Sequence, residues 1–193
     1  MLTRYVRPLT SAARQAAPRR TAGLRGGRPA CPYPRSMSLP EVCVVLLLRR
    51  GPAGAEVLLG RRRDGLGRGR ILGVCGWVDR GEGVHCAAVR ELREAVGVRV
   101  AASDLHPAGM VEYHFPTRPA WSRQATVFVC RRWEGEPART DGMTPRWYAF
   151  DAVPYAGMWD DAARWLPGVL RGGTVDARFT FGADLATVVL TAE

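Results

Sequence analysis

Lysine and asparagine are both absent from this 193-residue chain, and isoleucine occurs once, at Ile71. All 28 basic residues are therefore arginine. Without lysine there is no Schiff-base chemistry, no lysine general base and no Walker-type phosphate loop. Histidine is scarce too: His85, His106 and His114 are scattered along the chain. Five cysteines (Cys31, Cys43, Cys75, Cys86, Cys130) form no Cys-x-x-Cys pair and have no histidine at ligand spacing, which excludes a structural zinc motif. Their odd number, and their places mostly inside apolar runs, are those expected of reduced, buried thiols in an intracellular protein. Long hydrophobic runs are missing as well. The longest, Val42 to Leu48, is far too short for a transmembrane helix, so no membrane insertion is expected. A hydrophobic content of 47% is nonetheless ordinary for a globular protein, and the length suits one domain with a tail.

The net charge of +10 is unevenly placed. Residues 1–40 hold eight arginines (Arg4, Arg7, Arg14, Arg19, Arg20, Arg25, Arg28, Arg35) and no acid. From Glu41 onward, 20 arginines stand against 18 acids, so the body is near neutral. The first 40 residues, rich in Arg, Ala, Pro, Ser and Thr and without an apolar h-region, do not make a secretory signal. They suit a mitochondrial transit peptide, with Leu2, Val6 and Leu9 near one face of a helix. Two other readings stand beside it: a basic arm that binds RNA or a membrane surface, or a translated leader before a working start at Met37. In each, a disordered extension over residues 1–40 precedes a folded domain over 41–193. The expected location is the mitochondrial matrix, the cytoplasm or both, and nucleic acid is an expected partner only through the tail.

Within the domain, Val42–Leu48 and Ala55–Gly60 read as buried strands separated by a turn-forming Arg-Arg-Gly-Pro-Ala-Gly. Arg61 to Arg70 is a Gly/Arg-rich loop, either a solvated turn or a rim that steers phosphate. From Val84 to Val96 the spacing is helical, with Val84, Ala87, Ala88, Leu92, Ala95 and Val96 on one side and Gly97 placed to end the helix before a strand Val98–Val100. Further strands are expected around Gly109–Phe115, Ala125–Cys130 and Trp147–Phe150. A second helix is expected over Asp160–Leu166, stopping before Pro167. Strands at Ala177–Gly182 and Ala186–Thr191 close the chain. This is an α+β pattern, a mixed sheet sandwiched between helices.

The stretch from Gly76 to Val98 carries the chemistry. Glu91 and Glu94 are three apart on the first helix, so their carboxylates share a face and can reach one hard cation. Mg²⁺ takes oxygen ligands, keeps several waters and bridges to phosphate, and Mn²⁺ is the alternative. The plainer reading is a solvated helix face in which Glu91, Arg90 and Glu94 make ordinary ion pairs.

The same stretch resembles the Nudix box, G-x5-E-x7-R-E-U-x-E-E-x-G-U with U a bulky aliphatic residue. Gly76, Glu82, Arg90, Glu91, Leu92, Glu94, Gly97 and Val98 fall in register, and Ala95 stands where the second glutamate of the pair belongs. The resemblance implies a Nudix fold (α/β/α) and a Mg²⁺-dependent hydrolase. In it Glu91 and Glu94 hold the metal, Arg90 orients a glutamate, Glu82 lies near the metal and Cys75 offers a backbone carbonyl. Over residues 41–193 the chain is similar to the MutT-type oxidised-purine nucleoside triphosphate hydrolases of animals, which act on nucleotides such as 8-oxo-dGTP. The segment Val153–Leu170 with its Met-Trp-Asp-Asp carries this most clearly. Carried over, Trp159 stacks on the purine, Asp161 reads its edge, and Arg62, Tyr113 and Phe115 line the pocket. Leu72 stands in place of a base-binding asparagine.

The departures are also readable. Ala95 and Gly142 replace expected acids, Ala162 replaces a second edge-reading aspartate, and Cys75 and Trp77 break a Gly-Gly-Lys. Two functions follow as expectations. One is hydrolysis of an oxidised or normal purine nucleoside triphosphate to the monophosphate and pyrophosphate by a monomer. The other is a catalytically weakened domain that binds a nucleotide or a protein.

Overall fold

The computed structural model of the chain describes residues 39–52 and 54–192. Nearly all of the Arg-rich extension, with Cys31 and Met37, lies outside the described residues, and so does the import reading placed on it. The described chain runs β1 (Glu41–Gly51), β2 (Gly54–Arg62), β3 (Ile71–Leu72), β4 (Val74–Trp77), α1 (Val84–Val96), β5 (Leu105–His114), β6 (Arg123–Cys130), β7 (Met143–Ala149), α2 (Ala162–Leu170), β8 (Val175–Phe181) and β9 (Val188–Ala192). The strands form one mixed sheet with the order β3-β2-β1-β6-β5-β8-β9, while β4 pairs with β1 and β7 with β2. β1 is parallel to β6 and β5 is parallel to β8; the other pairings are antiparallel.

The uninterrupted apolar run in β1 is explained by cover on both faces. Cys43, Val45 and Leu47 point to one side, where they pack with Ala87, Ala88, Leu92 and Val96 of α1. Leu46 and Leu48 point to the other, into a core shared with Ala162, Trp165, Leu166, Val169 and Leu170 of α2. Leu47, Leu92 and Leu166 have no exposed surface, and burial of such a side chain contributes roughly 1.5–3 kcal/mol each. The expected sheet between helices is the architecture found.

α1 has the expected bounds. Gly97 ends it in the left-handed region at φ 78°, where its amide donates to the carbonyl of Arg93. α2 departs from expectation: it begins at Ala162 and runs through Pro167 to Leu170. Proline removes one backbone donor, but Val169 and Leu170 are both buried beyond it, and that burial offsets the missing bond. The expected strand Val98–Val100 reduces to a single bridge between Arg99 and Glu134. The strand expected at Trp147–Phe150 starts earlier, at Met143, and stops at Ala149. β3 and β4, with two and four residues, are too short for periodicity to reveal.

β1 forks, and the fork makes room for a site. Its first half (Val42–Val45) pairs with β4, whereas its second half (Leu48–Gly51) pairs with β2. The loop after β2 therefore opens beside the second half of α1, where Arg62 and Asp64 meet Glu91, Glu94 and Ala95.

Candidate functional site

Two hollows lie side by side at this opening, and Cys75 of β4 lines both. The larger holds about 820 Å³ of empty space, some of it open to solvent. Its walls include Val44 and Leu46 of β1, Leu72, Tyr113, Phe115, Trp159 and Asp161. Five sequence-predicted substrate residues, Leu72, Tyr113, Phe115, Trp159 and Asp161, thus meet in one place. Phe115 stacks on Phe181 with ring centroids 4.6 Å apart, and Trp159 stands edge-on to both rings. The Arg70 guanidinium lies 4.4 Å from the centroid of the Trp159 ring and donates to the Met158 carbonyl at 2.8 Å. The pocket is therefore aromatic and pre-shaped, as small-molecule sites are.

Asp161 is its polar feature. The residue is buried, at 3% exposure. One carboxylate oxygen, Oδ2, accepts from the Trp165 indole at 2.8 Å, while Oδ1 is buried with no well-formed hydrogen bond among the described residues, the Tyr113 hydroxyl being the polar group that also acts on this carboxylate. Burial pushes the carboxyl up to about 6, against the opposing effect of the Trp165 hydrogen bond. Ala162, at the place of the missing second acid, lines the same hollow. Asp160 is used otherwise: it accepts from the Val188 amide at 2.9 Å and pairs with Arg164, tying β9 to the start of α2.

The second hollow is lined by Arg62, Asp64, Cys75, Glu91, Glu94, Ala95, Gly142 and Met143. Arg62 thus belongs to this side rather than to the aromatic one. Arg90 organises its acids. One guanidinium nitrogen reaches Glu91 at 2.7 Å and Glu94 at 3.5 Å, and the other two take both oxygens of Glu82 at 3.1 and 2.9 Å. Arg90 also donates to the Trp77 carbonyl at 2.8 Å, so it clamps α1 to β4. Glu82 is held by Arg90, and by the Asp79 amide, rather than brought into the hollow. Those bonds hold Glu82 below the usual carboxylate range, with the Arg90 hydrogen bond the main cause. Glu91 is pushed the other way, mainly by burial, with Arg90 opposing. Gly76 has a steric reason: a Cβ there would collide with the Glu91 carboxylate.

The fit to a divalent cation is partial. Among the described residues no group of three Asp, Glu, His or Cys side chains is gathered to hold a metal. Ala95 and Gly142, where acids were expected, both face the hollow with no donor. The Cys75 carbonyl, the expected backbone ligand, accepts from Arg62 at 3.3 Å. Glu91 and Glu94, one helical turn apart with Asp64 also lining the hollow but not gathered with them, suit one Mg²⁺ that keeps most of its water, and not a cluster of ions. Sequence reasoning missed three residues here. Asp64 and Arg123 sit in loop-like or strand-opening Arg-rich segments that carry no motif, and Phe181 is hidden in an ordinary strand pattern. Among the four described cysteines, Cys43 and Cys130 are buried as expected, whereas Cys75 is half-buried and Cys86 is exposed. No helix among the described residues is long and apolar enough to cross a membrane.

Residues 37–169 match the family model of the NUDIX domain. The chain is 35% identical over 128 residues to the oxidized purine nucleoside triphosphate hydrolase of Danio rerio, covering 66% of this chain and 78% of that protein. It is 33% identical over 126 residues to the mouse protein of the same name, covering 65% and 79%. Among solved structures, the mutator MutT protein of Bacillus halodurans superposes with a TM-score of 0.65 at 18% identity, over 80% of this chain and 97% of that one, a likeness of fold.

Proposed function

Since the chain belongs to the Nudix family, we propose that it binds a purine nucleoside triphosphate and hydrolyses it to the monophosphate and pyrophosphate, with Mg²⁺ as the metal. The observation that carries the purine reading is Asp161. At the wall of an aromatic hollow it keeps an oxygen with no well-formed hydrogen bond, beside the Tyr113 hydroxyl, where a base edge would supply a partner. Trp159 and Phe115 supply the ring contacts, and stacking adds affinity while the carboxyl edge adds discrimination. With Leu72 and Ala162 apolar, recognition of an oxidised base such as that of 8-oxo-dGTP would rest on Asp161 alone among the predicted edge readers. The relatives from Danio rerio and mouse are named as oxidized purine nucleoside triphosphate hydrolases, which supports that choice of substrate class.

In this reading Glu91 and Glu94 hold the cation and Arg90 fixes both. Glu82 keeps Arg90 charged and in place. Bound there, Mg²⁺ supplies charge to a phosphoryl oxygen and lowers the pKa of water. The half-buried setting of Glu91 makes its contact with charge strong, because solvent screens it less. Residues 1–40, read as an import sequence, set the mitochondrial matrix as the proposed place of work, with the cytoplasm for a chain starting at Met37.

Ala95 and Gly142 favour a second reading, a domain that keeps nucleotide binding with little turnover. Pyrophosphate release by the full chain with Mg²⁺, comparing 8-oxo-dGTP with dGTP, separates the two. Release that is lost in Glu91→Gln supports the hydrolase. Binding without release, with release gained in Ala95→Glu, supports the binding domain.

A further inference from the structure

The neck between the two hollows carries two arginines. Arg62 approaches Cys75 from the acid side: its guanidinium donates to the Cys75 carbonyl at 3.3 Å and to Sγ at 3.4 Å, and its Nε donates to the Asp64 carbonyl at 3.1 Å. Arg123 lines the aromatic hollow. Its Nε donates to the Trp121 carbonyl at 2.7 Å, and its guanidinium carbon lies 5.2 Å from the Trp77 ring centroid. Its two terminal nitrogens donate to no protein group among the described residues, and no carboxylate comes within ion-pairing distance of it. Arg62's one carboxylate neighbour, Asp64, is 3.7 Å away and largely exposed.

This arrangement is unusual in two ways. A half-buried arginine without a carboxylate has been desolvated with no compensating charge, which is costly for the fold alone. Burial, with the like charge of Arg62 adding to it, lowers the pKa of Arg123. Arg62 shares its hollow with the uncharged Ala95 and Gly142, and Arg123 lines the other hollow across Cys75, so two guanidinium groups flank the neck and favour an anion there. Planar guanidinium forks match phosphate oxygens, and a nucleotide with its base against Trp159 and its far phosphates at Glu91 and Glu94 must pass Cys75.

We propose that Arg62 and Arg123 form a phosphate seat on either side of Cys75 that binds the near phosphates of a nucleotide without a divalent cation. The proposal rests on the purine reading for the position of the base, but the seat itself needs only an oligophosphate. It makes Arg123 a specificity residue for phosphorylated over unphosphorylated nucleosides, and it gives Arg62 a partner besides the Cys75 carbonyl.

The test is calorimetric titration of the full chain in EDTA with deoxyguanosine, dGMP, dGTP and inorganic tripolyphosphate. The expected result is that dGMP and dGTP bind at least about tenfold tighter than deoxyguanosine, because a charge-assisted hydrogen bond contributes strongly to binding. Arg123→Gln and Arg62→Gln each remove about tenfold of that gain, well beyond any change they cause for deoxyguanosine, while Arg123→Lys, which keeps the charge without the fork, retains part of it. Thermal melts of each variant separate loss of the seat from loss of the fold, and Arg123→Lys serves if Arg123→Gln does not fold. Phosphate-bearing ligands that bind no tighter than deoxyguanosine in EDTA overturn the proposal, as does a gain unchanged in both arginine variants. If deoxyguanosine does not bind but tripolyphosphate binds through both arginines, the purine reading falls and the seat stands.

Discussion

The aromatic hollow and the acid hollow share a wall at Cys75, yet they have departed from the family pattern by different physical routes. The aromatic one has lost polar edge groups, with Leu72 and Ala162 in their places, but every replacement is a small or medium apolar residue that keeps the wall closed. Its shape rests on packed rings as well as on hydrogen bonds: Phe115 stacks on Phe181 and Trp159 stands edge-on to both. The acid hollow has uncharged Ala95 and Gly142 where acids were expected, and the Arg62 guanidinium occupies the Cys75 carbonyl. A pocket built from packing tolerates substitution one residue at a time. A metal site depends on the number of its charges, and each lost carboxylate weakens it directly.

The largest effect that would break this contrast is expected in the acid hollow. If the full chain releases pyrophosphate, Glu91→Gln should lower the rate by about 100-fold or more, since one charged group at such a centre supplies several kcal/mol of transition-state stabilisation. Glu91 is also the residue around which Gly76 has no side chain, so Gly76→Ala should displace the carboxylate and produce a comparable loss without touching any acid. Rates of pyrophosphate release for both variants check this. Ala95→Glu should act in the opposite direction, raising turnover and Mg²⁺ affinity together. A lack of change in either would mean that a third ligand besides Glu91 and Glu94 is already in place.

In the aromatic hollow the expected effect is smaller and is confined to binding. Trp159→Ala should weaken deoxyguanosine and dGTP alike by about 10- to 100-fold, the range for loss of one base-aromatic stack. Oligophosphate binding should be untouched. Equal loss for tripolyphosphate would show that the two hollows are not energetically separate.

How far the sequence carried this contrast depends on the residue. Glu91, Glu94 and Gly97 were legible because a helix imposes fixed spacings, and the structure places α1 on the predicted bounds, whereas Gly76, Glu82 and Arg90 were legible only through the resemblance to the Nudix box. Trp159 and Asp161 were legible through the Met-Trp-Asp-Asp segment at the start of α2. Arg123 was not. It comes from the first residue of β6, and only the fork in β1 and the pairing of β5 with β6 bring it opposite Arg62. The role of Glu82 was half legible: its loop position was readable, but not that both of its oxygens are spent on Arg90. Pro167 misled because the rule that proline stops a helix takes no account of how much apolar surface lies beyond it.

The smallest expected effect is also the most local. Asp161 has a folded pKa of about 6 against an ordinary value of 3.8, raised chiefly by burial. The fold therefore favours the protonated form. The resulting stability is fully present below pH 3.8 and is lost as pH rises through about 6, because ionisation places an unpaired charge on a carboxylate whose Oδ1 has no well-formed hydrogen bond. Asp161→Asn keeps an oxygen to accept from Trp165 but cannot ionise. The difference in unfolding free energy from urea titration should be smallest below pH 3.8 and should favour the asparagine variant by about 1–2 kcal/mol at pH 7, less than the full shift implies because the hollow is open to solvent. Other carboxylates cancel in that difference. A purine ligand should narrow it, because a base edge donating to Oδ1 would stabilise the ionised form. If the ligand leaves the difference unchanged, Asp161 faces the hollow without reading what fills it.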